Sequence, residues 1–123
     1  MFRIPSESPD ATIAMAICAN PAVHVSGDSV QSREVIGSTL LGLPRTNVLW
    51  ITEEPSRVPA GCAVIDPVDA YDEGILDELD DSITADQTAV VIDIDGLNPF
   101  DASDRFHMVG QAQKAHRYVR ITA

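Results

Sequence analysis

Five short runs of β-branched and apolar residues, at 22–26, 47–52, 62–65, 88–94 and 118–122, alternate with stretches whose apolar residues recur at helical spacing. This is the sequence sign of βαβ units, since parallel neighbours are joined by crossovers long enough to hold a helix. Val48-Leu49-Trp50-Ile51 and Ala89-Val90-Val91-Ile92 show no polar alternation, which predicts central strands covered on both faces. Helices are expected at 10–19, with Ile13, Ala14 and Ile17 as the seam and Pro21 as the stop, and at 30–41. Two more are expected: 69–83, with Ile75, Leu76, Leu79 and Ile83 on one face, and 101–116, with Phe106, Val109 and Ala112 or Ala115 inward. The predicted fold is one doubly wound α/β domain over 1–123, a mainly parallel sheet of about five strands with helices on both faces. Residues 1–21 form an added N-terminal helix ahead of a core at 22–123.

A length of 123 residues, 45% hydrophobic, suits one packed domain. No apolar stretch approaches the roughly 20 residues of a membrane span. The longest, 11–19, follows Asp10 and has no basic leader, so a cytoplasmic protein with no membrane partner is expected. Cys18 and Cys62 make neither a metal-ligand spacing nor a disulfide framework and read as small buried hydrophobes.

The net charge of -11 comes from 19 acidic and 8 basic side chains, with 13 Asp to 6 Glu and Lys114 the single lysine. Short carboxylates in excess and lysine nearly absent are the surface habit of salt-saturated cytoplasm, which points to a halophilic, archaeal source. The charge is also uneven: residues 1–60 carry -2, residues 61–104 carry -13 without one base, and residues 105–123 carry +4. The basic segment, with Arg105, Lys114, Arg117 and Arg120, is a candidate surface for a protein partner or a second copy of the chain. It lacks interleaved aromatics, and phosphate contacts weaken at high salt, so nucleic acid is not the expected partner.

The first run of the core leads into Gly27-Asp28-Ser29-Val30-Gln31-Ser32-Arg33-Glu34, the strand-loop-helix position of a phosphate-binding loop. A working loop of that kind needs a second glycine, a lysine and a hydroxyl residue to cradle phosphates and hold magnesium. Gly27 matches, whereas Ser32, Arg33 and Glu34 stand in those three places, leaving Gly27, Ser32 and Arg33 as a degenerate nucleotide site. The neighbouring runs agree. Val48-Leu49-Trp50-Ile51-Thr52-Glu53-Glu54-Pro55 ends in paired glutamates, and Val90-Val91-Ile92-Asp93 ends in an aspartate. Over 22–123 the chain resembles a stripped-down RecA-fold ATPase of the KaiC and RadA kind. In that family one such glutamate activates water and the aspartate backs magnesium. The resemblance therefore implies a RecA-like sheet with acidic positions Glu53, Glu54 and Asp93 kept and the phosphate grip lost. Its functional expectation is a pseudo-ATPase, a non-catalytic regulatory or scaffold protein acting through protein contacts, with no cofactor.

The alternative is a small phosphoryl-transfer enzyme using Mg and ATP, with Asp93 and Asp95 as catalytic carboxylates and Glu53 or Glu54 as base. Val91-Ile92-Asp93-Ile94-Asp95-Gly96 is similar to the opening motif of haloacid-dehalogenase-like phosphatases, and two carboxylates at i and i+2 suit a hard cation such as magnesium at Asp93. That family needs a lysine and a further acidic pair on later strands, and only 27 residues follow Gly96. A receiver-like domain, with a flavodoxin-like strand order, would place acids near Asp28 and Asp66 but lacks its lysine after the last strand. His24, His107 and His116 share no ligand spacing and are expected at or near the surface.

Overall fold

The computed structural model describes residues 2–27, 29–52, 54–66, 87–93 and 116–122. Its strands are β1 (Phe2–Pro5), β2 (Ala22–Ser26), β3 (Thr46–Ile51), β4 (Ala63–Ile65), β5 (Gln87–Asp93) and β6 (Arg117–Thr122). Its helices are α1 (Asp10–Ala19) and α2 (Val30–Leu41), with a 3-10 turn at Pro55–Arg57. All six strands join one sheet in the order β1-β2-β6-β5-β3-β4, every neighbouring pair parallel. The α/β class and the parallel sheet therefore hold, with six strands instead of about five. The additional strand is β1, inside the 1–21 segment expected to be helical only. It is four residues long, only Ile4 of it is buried, and Pro5 ends it at the sheet edge, where a missing N–H costs no ladder bond. Such a strand leaves almost no periodic signal.

The first strand of the core, β2, lies between β1 and β6. A flavodoxin-like order places the first strand between the second and third, so that order is not the observed one.

Side chains alternate across the pleat. One face carries Ile4, Val23, Val25, Val119, Ile121, Val91, Ala89, Trp50 and Val48, and these pack with Ile13, Ala16 and Ile17 of α1 and Ile36 and Leu40 of α2 as the core. Ala16, one turn before Asn20, takes the seam place expected for Ala14. The other face buries Tyr118, Val90, Ile92 and Ile51, so the central strands are covered on both sides, as their unbroken apolar runs require. The helix expected at 69–83 and all but the last residue of the one expected at 101–116 lie outside the described residues; His116, that last residue, is an exposed bend just ahead of β6. No helix among the described residues is long and apolar enough to cross a membrane.

Local chemistry sets the helix ends. Ser29 caps α2, its Oγ accepting from Ser32 N at 3.0 Å. At the other end of α1, Asn20 N and Nδ2 both donate to Ala16 O, and Pro21 follows. Arg117 Nη1 donates to Ile17 O at 2.8 Å, placing a cation at the negative end of α1.

Candidate functional site

The loop between β2 and α2 is held by the chain itself. Gly27 has φ +91°, a left-handed conformation that glycine adopts without strain. Its N–H donates to Thr122 O at 2.7 Å, and a Cβ there would lie 2.5 Å from Ser6 Oγ. Ser32 is fully buried; its Oγ donates to Ser29 O at 3.0 Å and accepts from Ser29 Oγ at 2.9 Å. Both residues that match or replace glycines of a phosphate loop thus have local structural partners. Asp28 is outside the described residues.

Arg33, in the first turn of α2, falls on the helix's buried stripe with Ser32, Ile36, Gly37 and Leu40. Asp93 ends β5 in register with Ile121, on the sheet face that α2 covers. The Arg33 guanidinium and the Asp93 carboxylate form an ion pair through Nη2 and Oδ2, with the residues 1% and 4% exposed. So the degenerate loop's basic residue and the strand-end aspartate, 60 positions apart, meet inside the protein. The cation is part of the chain.

The other candidate residues are placed differently. Ile51 pairs with Ile92, so Thr52 and Asp93 end adjacent strands side by side. Thr52 is buried, and its Oγ1 accepts from Glu54 N at 3.1 Å, anchoring the turn that follows. Glu54 points to solvent and accepts from Arg57 Nη1 at 3.0 Å across one turn. Glu53, Asp95, Arg105 and Lys114 lie outside the described residues. Of the basic segment, Arg117 holds the end of α1, and Arg120 lies within the sheet, half-buried. Among the described residues no three histidine, cysteine or carboxylate side chains converge.

Arg120 belongs to a basic row: Arg3 pairs in register with His24, and His24 with Arg120. His24 Nε2 lies 2.7 Å from Thr122 Oγ1. Partial burial, then the positive charges of Arg120 and Arg3, hold the imidazole below its ordinary pKa. The register across strands joined by long crossovers is what assembles this row, and no local motif announces it. His116 is exposed, and its Nδ1 accepts from Thr88 N at 3.2 Å.

Two further features depart from the sequence reading or add to it. Cys18 is exposed and Cys62 only half-buried, because the α1 seam Ile13, Ala16 and Ile17 turns position 18 outward. Burial, then the nearby Glu34 charge, pushes the Cys62 thiol up, so it is a poor nucleophile. A cavity of about 300 Å³ opens at the N-terminal ends of β3 and β5, the end of the sheet away from Asp93. Its described lining, including Leu41, Asn47, Leu49, Ala63 and Thr88, is uncharged.

No family model matches the sequence, and comparisons with curated proteins and with solved structures find no match.

Proposed function

We propose that the protein is a non-catalytic, RecA/KaiC-like pseudo-ATPase of a halophilic archaeon, a regulatory or scaffold protein that works through protein–protein contact. The buried Arg33–Asp93 ion pair carries this reading. Where the ATPase resemblance puts a magnesium ion backed by an aspartate, this chain supplies a guanidinium that stays charged at any ordinary pH. Displacing it to admit a metal would break a buried pair, which costs about 3–5 kcal/mol. Gly27 and Ser32 have partners within the chain, so the loop keeps its shape without an anion. A cation already faces Asp93.

The contact surface proposed is the outer side of α1. That helix buries Ile13, Ala16 and Ile17 yet also turns Ala11, Met15, Cys18 and Ala19 to the outside, with Met15 70% exposed. A surface helix ordinarily keeps its outer side polar, and one apolar on both sides fits a covered position. Arg117 is tied to the end of α1 and Arg120 lies half-buried within the sheet, which leaves Arg105 and Lys114 as the remaining basic candidates for an acidic partner surface.

The test is titration with ATP and Mg²⁺ in about 3 M KCl, with phosphate release and light scattering followed in parallel. The expected outcome is no saturable nucleotide binding, no turnover, and a concentration-dependent mass that falls to the monomer's in Met15→Lys. Micromolar binding with turnover abolished by Glu54→Gln, an exposed position, would establish the magnesium-dependent enzyme instead.

A further inference from the structure

A second gathering of charge lies on the opposite face of the sheet from the Arg33–Asp93 pair. Ile92 is in register with Arg120, and Asp93 with Ile121, so Arg120 and Asp93 point to opposite sides. Arg3, His24 and Arg120 share the Arg120 side on three consecutive strands. Neighbouring strands are about 4.8 Å apart, which brings the three basic residues within about 10 Å of one another. Like charges side by side on a sheet are destabilising, and this chain has 19 acids for 8 bases. Yet the ion pairs Arg33 with Asp93 and Arg57 with Glu54 involve neither Arg3 nor Arg120. Arg3 is exposed, and Arg120 Nε is buried without a hydrogen-bond partner. One row nearer the strand ends, Ser26 pairs with Thr122, adding two hydroxyls to the same face. These are the C-terminal ends of parallel strands, where open α/β sheets hold their ligands.

We propose that Arg3, His24, Arg120 and Thr122 form a binding site for a phosphate monoester group. Two guanidinium forks flank the imidazole from either side, so donors converge from three strands. A planar carboxylate is satisfied by a single fork, whereas the three terminal oxygens of a phosphate use donors from several directions. The Thr122 hydroxyl at His24 Nε2 fixes the ring, and with that hydroxyl donating, the proton sits on Nδ1 as a further donor. The site uses none of the residues of the Arg33–Asp93 pair, so it stands or falls independently of the pseudo-ATPase reading.

The experiment follows the arginine Nε–H and histidine ring resonances of the full chain during titration with inorganic phosphate, phenyl phosphate and benzoate at constant ionic strength in KCl. Saturable shifts at Arg120 and His24 are expected, with phenyl phosphate binding at least tenfold more tightly than benzoate. Arg3→Gln, an exposed position that leaves the fold intact, should weaken phosphate binding about tenfold, and Thr122→Val should weaken it too. Shifts that chloride reproduces at equal ionic strength, benzoate binding as tight as phenyl phosphate, or unchanged affinity in Arg3→Gln would each overturn the proposal.

Discussion

Arg33 and Asp93 are each nearly inaccessible, so neither can take its charge to water when the other is removed. Arg33→Met or Asp93→Leu is therefore expected to lower unfolding free energy by about 3–5 kcal/mol, while the paired replacement Arg33→Met with Asp93→Leu returns most of it. Urea unfolding of the four proteins measures the coupling, and single variants within about 0.5 kcal/mol of the parent would contradict the pair's isolation from solvent. Tyr118 makes the opposite case. Its hydroxyl is buried with no partner, and burial, opposed in part by Arg120, pushes its pKa up to about 12. The unfolded chain ionises this phenol near its ordinary value of about 10. Its contribution to stability is thus fully present below about pH 10 and is lost as pH rises through the folded value of about 12. Tyr118→Phe should flatten that alkaline loss and leave stability at neutral pH unchanged or higher, since an unsatisfied buried hydroxyl is removed. Thermal midpoints from pH 8 to 11 check both halves.

Among the elements, α2 is fixed from two directions, by Arg33 to the sheet and by Gly37 to the loop after β3. A Cβ at Gly37 would lie 2.7 Å from Pro59 Cγ and 2.8 Å from its Cβ, both in a rigid ring. Mid-helix alanine normally gains about 1 kcal/mol over glycine. Here the clash should dominate, and Gly37→Ala is expected to destabilise by about 1–3 kcal/mol. Adding Pro59→Ala should restore the helix-forming advantage, and a stabilised Gly37→Ala single variant would show that the loop yields. How much of these elements the sequence discloses follows from where their signals lie. Both described helices and β2 run over the predicted spans, because Ser29, Asn20 and Pro21 mark ends locally and the apolar runs are long. β1 was illegible, since a four-residue edge strand buries one side chain. Arg33 carries a readable signal independent of the loop motif: it sits one position after Ser32 and four before Gly37, on the stripe facing the core. A charge on such a stripe demands a buried partner of opposite sign; acids follow the apolar runs at Glu53, Asp66 and Asp93, and only the strand order and register single out Asp93. The basic row was not legible, because pairing Arg3 with His24 and Arg120 depends on strand order and register.

At the scale of the whole molecule, salt acts on its electrostatics in opposing directions. Screening shortens the reach of charge to about 10 Å at 0.1 M and about 3 Å at 1 M. Exposed attractions such as Arg57 with Glu54 lose their small contribution as salt rises, since surface pairs are worth about 0–1 kcal/mol. The Arg33–Asp93 pair is buried and is screened far less. The remaining large effect is repulsion within residues 61–104, which carry 13 acids and no base. Attenuating that repulsion outweighs a weakened surface pair, so stability should rise with salt, with tertiary structure lost below a few tenths molar. Near-ultraviolet circular dichroism and thermal midpoints between about 0.1 M and 3 M KCl measure the effect. If repulsion in this segment is the cause, Asp80→Asn with Asp81→Asn should shift the midpoint salt concentration downward, while Glu54→Gln, which breaks the exposed pair with Arg57 outside the segment, should leave it in place. A midpoint independent of KCl would refute the self-repulsion argument. Equal responses to potassium chloride and to an osmolyte that raises no ionic strength would instead trace the requirement to strengthened apolar burial.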